Sequence, residues 1–358
     1  MNNRYDHTDW ELLQKRYDAW WNVDIHDVPM VRVRTRKHDP EPTEAPDDLI
    51  ARWTEPAYLI SRARREMEAT WYGGVDFPAY WPNLGPGIGG AYLGSPVHFD
   101  ETTNWFGSTI ESWPSPLPVF DPTERWWKTT LKMTQAAADD ANGEYLIAHT
   151  DLGGVTDLIS SLRSNALLCT DLLENPDEIV RLRDHVAECW KEWYTALHDV
   201  VKKNQSATTG WLSALGGGRS YPLQCDFIAL ISPEMFKEFV VPELTELADW
   251  LDYSIYHLDG PDAIGKLDYL LEIESIQAIQ WVPGSGVEPA EAWIPLLKRI
   301  QDAGKSIYAH SSPEGTVQLY EQLKPEGLMV STGCDTPDEG RALLDRIGKI
   351  AAARAGGG

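Results

Sequence analysis

The stretch Ser254-Ile-Tyr-His-Leu-Asp-Gly-Pro-Asp262 combines a short apolar strand, a tight turn and the start of a helix. Residues two apart on a strand point to the same side, so His257 and Asp259 are predicted to share one face at its carboxyl end. Gly260 and Pro261 then break the strand. In β/α proteins the carboxyl ends of the strands line the ligand crevice, so this stretch predicts both the type of fold and the place of its chemistry.

Strands and helices alternate along the chain of 358 residues. Apolar stretches predict eight strands, near residues 30, 76, 146, 210, 255, 278, 308 and 329. The last two are predicted over residues 306–310 and 328–331, and residues 216–226 are predicted as a loop. Helix starts are predicted from two capping boxes and two Ser-Pro pairs, which are Thr8 with Glu11, Thr336 with Glu339, Ser232-Pro233 and Ser312-Pro313. Eight alternating strands and helices predict an α/β fold with a single (β/α)8 barrel, the TIM barrel, over residues 1–358, and a helical extension at its amino terminus.

Residues 78–122 interrupt this alternation with many prolines, glycines and tryptophans. Connections longer than roughly 12 to 15 residues without regular structure are uncommon in compact domains. Two interpretations remain open. The segment is a lid-like insertion, in which Trp81 binds substrate and the aromatic side chains exclude water, or it is a loop packed on its own tryptophans.

Acidic residues dominate the charge, with 55 Asp and Glu against 31 Lys and Arg and a formal net charge of -24. Such a field repels phosphate groups, which argues against nucleic acid and membrane surfaces as partners. A small-molecule substrate is expected, and a homodimer stays open. The sequence has no signal-peptide core and no run of about 18 apolar residues, so a cytoplasmic location is expected. The four cysteines form no CxxC pair and are expected to be thiols.

Polar side chains from different strands meet at the carboxyl ends if the barrel prediction holds. They are Asp76, His149 with Asp151, Trp211, His257 with Asp259, Gln280, His310 and Cys334. Imidazole, carboxylate and thiolate groups from separate strands are the ligands with which a barrel builds a zinc site. The alternative for His257 is a strand-end histidine paired with the neighbouring carboxylate. His149 and His310 are predicted either as acid/base groups or as polar core residues.

A family resemblance adds to these patterns. The segment Gln224-Cys-Asp-Phe-Ile-Ala-Leu-Ile-Ser-Pro-Glu-Met-Phe-Lys-Glu-Phe-Val-Val-Pro242 resembles the "D…ISP…F.EF..P" signature of the uroporphyrinogen decarboxylase superfamily. Residues 167–177 resemble its "LL.DL…P" helix junction, and residues 333–338 its last strand-to-helix turn. The resemblance covers roughly residues 140–350. It implies a (β/α)8 barrel, in a superfamily that includes zinc-dependent corrinoid and coenzyme M methyltransferases.

The methyltransferase branch of that superfamily implies a set of metal ligands. It carries a His-x-Cys pair after the fifth strand and a Cys after the eighth, which together bind zinc. His257 matches the first ligand and Cys334 the last, while Asp259 stands where the second Cys would be. The resemblance therefore implies zinc on His257, Asp259 and Cys334, with one soft sulfur replaced by a hard oxygen.

Other residues are assigned around this predicted metal site. The predicted catalytic residues are Asp226, His149, His310 and Tyr221, of which Tyr221 and Asp226 are expected to face the metal cavity. The predicted substrate-binding residues are Trp81, Asp76, Trp211, Gln280 and Arg219. For Arg219, beside three glycines, an anion clamp and a surface position are both open.

Three functions follow from this assignment. The first is a metal-dependent methyltransferase or demethylase, in which zinc lowers the pKa of a thiol or alkoxide and a methyl group is exchanged with a small cofactor or a corrinoid. No corrinoid-binding module is visible in the sequence, so that cofactor would arrive on a separate partner protein. The second is a metal-free decarboxylase or lyase acting on a carboxylated small molecule, with Arg32, Arg34 and Arg36 as the counterpart of that branch's Arg-rich clamp. The third is a barrel that binds a small ligand without catalysis.

Overall fold

The computed structural model describes residues 9–24 and 27–355. Its helices are α1 (Trp10–Trp21), α2 (Leu49–Thr54), α3 (Pro56–Ala69), α4 (Gly89–Tyr92), α5 (Arg125–Ala141), α6 (Val155–Arg163), α7 (Asn165–Glu174), α8 (Pro176–Val201), α9 (Pro233–Met235), α10 (Val241–Trp250), α11 (Leu267–Leu271), α12 (Ile294–Asp302), α13 (Pro313–Gln322) and α14 (Pro337–Ala355). Its strands are β1 (Met30–Arg36), β2 (Thr70–Gly74), β3 (Ala79–Tyr80), β4 (Val97–Phe99), β5 (Asn104–Phe106), β6 (Leu146–Ile147), β7 (Thr208–Thr209), β8 (Leu215–Gly216), β9 (Ser220–Leu223), β10 (Tyr253–Asp259), β11 (Ala278–Val282), β12 (Ser306–His310) and β13 (Leu328–Cys334). Short 3-10 helices cover Asp226–Leu230, Pro261–Lys266 and Ala290–Trp293, and one π-helical turn covers Phe236–Val240.

A seven-stranded sheet in the order β2-β1-β13-β12-β11-β10-β9 forms the centre of the molecule. Its strands run parallel except β2, which is antiparallel to β1. A parallel pair, β3 with β6, and a hairpin, β7 with β8, stand beside it. The His149 N–H donates to the Thr209 carbonyl at 2.9 Å and links these two pairs. The fold is therefore TIM-barrel-like, but its strand ladder does not close over the described residues.

Alternating strand residues divide between two apolar layers. The inner layer contains Met30, Ile255, Ala278, Tyr308 and Met329, together with Tyr17 and Trp20 of α1. The outer layer, against the surrounding helices, contains Val31, Tyr256, Ile279, Ile307 and Val330. Because residues two apart share a face, the inner positions are the odd-numbered residues of β10 and β13 and the even-numbered residues of β11 and β12.

Helix α1 packs against the inner layer at the amino ends of the strands. Trp20 and Trp21 are almost fully buried, and their indole N–H groups donate to the carbonyls of Ile307 at 3.3 Å and Leu215 at 2.7 Å. Asp9 caps this helix by accepting from the Leu12 N–H at 3.1 Å. Thr8, the predicted capping residue, lies outside the described residues.

The other predicted helix starts are confirmed. The hydroxyl of Ser232 accepts from the Met235 N–H at 3.2 Å, and that of Ser312 accepts from the Gly315 N–H at 3.0 Å. The hydroxyl of Thr336 accepts from the Glu339 N–H at 3.2 Å. These bonds satisfy amide groups that a helix leaves without partners at its first turn.

Six predicted strands match β1, β6, β10, β11, β12 and β13, whereas the predictions near residues 76 and 210 are corrected. The chain near residue 76 follows β2, which ends at Gly74. Residues 208–215 form the two-residue strand β7 and the start of β8, its hairpin partner. The strand that joins the main sheet is instead β9, which lies in a stretch predicted as a loop. The glycines before it indicate a loop, and Pro222 argues against a strand, but β9 is an edge strand of the main sheet, where proline is tolerated.

Residues 78–122 contribute to the protein core. Leu84, Ile88 and Tyr92 are almost fully buried in the outer layer, while Trp105 on β5 is 63% exposed. Both interpretations of the segment, the lid and the loop packed on its own tryptophans, stay predictions. Within residues 9–24 and 27–355, every helix is too short or too polar to span a bilayer.

A buried ion-pair network joins β1 to the chain after β2. Arg32 contacts Asp76 with its Nη2 at 2.7 Å, and Arg34 contacts the same carboxylate with its Nε at 2.9 Å. The Nη1 of Arg32 also donates to the Leu212 carbonyl at 3.0 Å and to the Tyr308 hydroxyl at 2.7 Å. Burial alone would raise the pKa of Asp76, but the two guanidinium groups overcome it and hold that pKa below its usual value.

We expect Asp76→Asn to lower the free energy of unfolding by about 3–5 kcal/mol, because the charge of Arg32 then stays buried without its partner. Urea unfolding at neutral pH measures the loss. Glu66→Gln is the matched control, since it breaks the exposed Arg36–Glu66 pair at 2.6 Å, and its cost should stay below about 1 kcal/mol. Because the pKa of Asp76 is lowered on folding, its stabilisation is present above about pH 4 and is lost as the pH falls further. Equal losses in the two variants would contradict this account.

Candidate metal centre

Three side chains that bind metals in proteins meet at the carboxyl ends of β9 and β10. Asp226 is the first residue of the 3-10 helix that follows β9, and His257 and Asp259 lie two apart at the end of β10. One ligand atom from each lies within 4.8 Å of the others. His257 is half-buried, and the two aspartates are exposed. The arrangement offers one imidazole nitrogen and two carboxylate oxygens to a cation.

The ladder between β10 and β11 orients the His257 ring. Gln280 is the register partner of His257, and its Oε1 lies 2.5 Å from His257 Nδ1. Because a carbonyl oxygen can only accept, Nδ1 carries the proton and donates it, which leaves the lone pair of Nε2 for a cation. The ring of Trp211 contacts the imidazole edge to face, with centroids 5.1 Å apart. The histidine therefore has a defined tautomer and a defined plane.

Burial and the two neighbouring side chains of the cluster set the pKa of Asp226. Desolvation by the surrounding protein raises its pKa, the nearby charge of Asp259 raises it further, and His257 opposes both effects. A divalent cation between the three groups would remove this repulsion. Zinc bonds of about 2.0–2.2 Å place tetrahedral ligand atoms roughly 3.3–3.6 Å apart, so the side chains would have to close in slightly on binding.

Cys334 does not join this cluster, which corrects the predicted ligand set. The strand was predicted to end at residue 331, but β13 continues through Cys334. Met329 belongs to the inner layer, so the inward positions that follow are 331 and 333, whereas Cys334 packs against the outer layer. A difference of one residue thus moves the thiol to the other face of the sheet. Burial and the charges of Glu339 and Asp335 also raise the pKa of Cys334, which disfavours its thiolate.

Two of the predicted catalytic residues lie on the outer side of the sheet. The Tyr221 hydroxyl accepts from the Leu152 N–H at 2.7 Å and donates to the Thr150 carbonyl at 3.3 Å, which ties β9 to the chain after β6. His149 is 1% exposed and stacks on Tyr194 of α8, with ring centroids 4.3 Å apart. Tyr221 therefore does not face the cavity of His257, which corrects its predicted placement.

The remaining predicted residues do not all contact the cluster. Gln280 and Trp211 contact His257 directly, and His310 ends β12 with an exposed side chain. Asp76 is engaged by Arg32 and Arg34. Trp81 is half-buried, and its buried indole N–H has no hydrogen-bond partner among the described residues.

Arg219 takes the surface alternative. It precedes β9 and therefore lies at the amino ends of the strands, opposite the cluster of His257. Its guanidinium lies 4.4 Å from the ring centroid of Trp250 and 3.5 Å from Asp252. A role in clamping a substrate at the carboxyl ends is excluded by this position.

Three further carboxyl groups lie behind the cluster, of which sequence patterns placed Asp151 at a strand end and missed Asp157 and Glu243. Burial raises the pKa of Asp151 to about 7 and that of Glu243 to about 8. Asp157, in the first turn of α6, bonds the backbone at Asp226. An acidic residue in the first turn is a signal for helix capping, but no local pattern shows that its partner lies 69 residues away.

Comparison with known proteins supports the fold alone. No protein-family model matches the chain, and no curated protein matches its sequence. The structure is similar to that of a methyltransferase from Methanosarcina mazei, with a TM-score of 0.62 over 96% of this chain and 98% of that one. The two sequences are 13% identical, so the likeness shows a shared fold and leaves the activity to the chemistry of the site.

Gln280→Met should change the protonation of His257, because it removes the acceptor for the Nδ1 proton at similar side-chain volume. Correlation of imidazole proton and nitrogen resonances by NMR should show His257 protonated at Nδ1 in the parent and shifting towards Nε2 in the variant. We also expect divalent-cation affinity to fall about 10- to 100-fold. The exposed His310 is an internal control, and its resonances should not change. An unchanged His257 tautomer would mean that Gln280 does not orient the ring.

His149→Phe should make the protein less sensitive to acid. Burial, with a smaller effect of His198, lowers the pKa of His149 from 6.5 to about 3. The unfolded chain therefore binds a proton that the folded protein excludes, and stability is lost as the pH falls below about 6.5. Between about pH 6 and 4, urea unfolding of the variant should show a pH slope smaller by up to about 1.4 kcal/mol per pH unit. Parallel pH profiles would contradict a buried neutral histidine.

Proposed function

We propose that this chain is a metal-dependent methyltransferase or demethylase of the uroporphyrinogen decarboxylase-like type, with its cation held by Asp226, His257 and Asp259. The observation that carries the proposal is the convergence of these three groups within 4.8 Å at the carboxyl ends of neighbouring strands. The resemblance of residues 224–242 to the superfamily signature supports the type of reaction. The fold shared with a methyltransferase is compatible with it.

The donor set suits zinc and also admits other divalent transition metals. Zinc accepts imidazole nitrogen and carboxylate oxygen, and three protein ligands leave one position for a substrate. Two carboxylates make the set harder than one that contains thiolates, which extends the choice towards iron, cobalt and manganese. Zinc remains the ion that we propose, because His-plus-carboxylate sets bind it in catalytic sites with an open position.

When bound, the cation would supply Lewis acidity that lowers the pKa of a coordinated thiol or alcohol. The chain's own residues prepare the site for it. Gln280 holds the His257 ring with its Nε2 free, and Trp211 covers one side of that ring. The exposed side chains of Asp226 and Asp259 leave the site open at the barrel mouth. A corrinoid carried by a separate protein, or a small methylated cofactor, would have access there.

The metal-free lyase is supported less well by the structure. A clamp for substrate carboxylates needs cationic groups that are free to bind them. Arg32, Arg34 and Arg36 instead bond carboxylates of the protein itself, which are Asp76 for the first two and Glu66 for the third. The predicted counterpart of the decarboxylase clamp is thus already neutralised.

Metal analysis of the purified protein tests the proposal. We expect about one zinc or similar ion per chain and a loss of affinity of about 10-fold or more in Asp226→Asn and His257→Ala, which remove ligands. Cys334→Ser is the matched control and should keep the parent's metal content. Methyl transfer between methylcobalamin and small thiols or alcohols should depend on the metal.

Three results would count against this proposal. A parent protein with no affinity for zinc or cobalt would refute the metal site. Loss of metal in Cys334→Ser together with its retention in Asp226→Asn would instead favour the sulfur-containing set. Turnover of a carboxylated substrate that survives strong chelation would favour the lyase.

A further inference from the structure

Asp226 sits on a helix that has no cap of its own. The 3-10 helix Asp226–Leu230 follows Cys225, whose side chain makes no capping bond. The first amide groups of a helix have no partner within it, so a buried or half-buried start needs acceptors from elsewhere. His257 and Asp259, in contrast, lie on β10, which is paired with strands on both sides. The position of Asp226 therefore depends on contacts outside the sheet.

Asp157 of α6 supplies the missing acceptors. Its Oδ2 accepts from the Asp226 N–H at 3.0 Å, and its Oδ1 accepts from the Phe227 N–H at 2.9 Å. Each carboxylate oxygen thus satisfies one of the first two amides of the 3-10 helix. Burial raises the pKa of Asp157 to about 7, and these two backbone hydrogen bonds oppose that rise. Asp157 itself is not part of the three-residue ligand cluster.

A glycine allows this contact between the two segments. A Cβ atom at Gly154 would lie 2.1 Å from the Gln224 carbonyl oxygen and 2.8 Å from Asp157 Oδ2. The first of these is a backbone atom and cannot turn aside. Gly154 has a φ of -75°, which any residue adopts, so glycine is required here for space and not for its backbone conformation.

The start of α6 is also held from its other side. Thr156 donates its N–H and its hydroxyl to Glu243 Oε1, at 3.0 and 2.9 Å. Glu243 lies on α10 and is 1% exposed. Asp157 therefore projects from a helix terminus whose own amides are tied to the protein core, which makes it a rigid support.

We propose that Asp157 is a positioning residue for the metal centre: by capping the 3-10 helix it sets the Asp226 carboxylate relative to His257 and Asp259. The inference rests on the proposed function, because it takes these three side chains to be cation ligands. Outer-shell groups that orient a ligand influence affinity without touching the ion. Here the orienting group acts on the ligand's backbone.

Titration of the purified protein with Co²⁺ alone tests this role. Asp157→Asn replaces one acceptor oxygen by an NH₂ group, which opposes the backbone N–H it faces. We expect Co²⁺ affinity to fall about 10- to 100-fold and the visible absorption of bound Co²⁺ to change with its coordination geometry. Gly154→Ala should act in the same direction by displacing residue 224. Glu243→Gln makes the same chemical change at the same helix terminus without touching Asp226, and should keep affinity and spectrum.

Hydrogen exchange of residues 225–230 in the metal-free variants provides a reading that is independent of the ion. Exchange should be faster in Asp157→Asn than in Glu243→Gln. Unchanged affinity and spectrum in a folded Asp157→Asn overturn the positioning role, even if exchange is faster. Equal losses in Asp157→Asn and Glu243→Gln overturn it as well, because the effect is then a general loosening of α6. Absence of Co²⁺ and zinc binding in the parent removes the proposed function and this role together, whereas the exchange data still report on the cap.

Discussion

The parallel ladder between β10 and β11 is the interaction on which the candidate site depends. Its register places the Gln280 amide beside the His257 ring, and the two-residue period of β10 brings Asp259 to the same face. A slip of one residue would bring Leu258 and Trp281, which pack in the outer layer, to the inner face. The apolar packing of the outer layer therefore opposes such a slip and protects the geometry of the site.

The carboxylates on the inner face of the sheet have two different electrostatic environments. At β1, Asp76 is compensated by two guanidinium groups and is fully engaged. At β9 and β10, Asp226 and Asp259 lie close to each other and to His257, in a protein whose formal net charge is -24. The first arrangement stabilises the fold, whereas in the second no Arg or Lys of the described residues pairs with either carboxylate. This contrast is the electrostatic reason to expect a cation at the second site and none at the first.

Sequence periodicity was sufficient to predict the strands in which buried and exposed residues alternate regularly. It predicted β12 at its observed bounds and the shared face of His257 and Asp259. It was insufficient where tertiary contacts decide. Strand β13 continues past residue 331 because it pairs with β1 as far as Thr35, and this pairing turns Cys334 away from the site. The cap that Asp157 provides joins two helices distant in sequence, so its partner has no local signal.

Under the proposed function, this site has carboxylate oxygens where the methyltransferase branch described above has two cysteine sulfurs. Asp259 stands at the position of one cysteine. Asp226 supplies the third ligand in place of Cys334, which packs in the outer layer and does not join the cluster. Thiolate ligands must lose a proton with a pKa near 8.5 before or during metal binding, whereas carboxylates are mostly ionised at neutral pH. Carboxylates also cannot be oxidised to the sulfenic, sulfinic and sulfonic acids that cysteine forms. A cation held by Asp226, His257 and Asp259 would therefore bind with less dependence on alkaline pH and would not be released by oxidation of a ligand thiol.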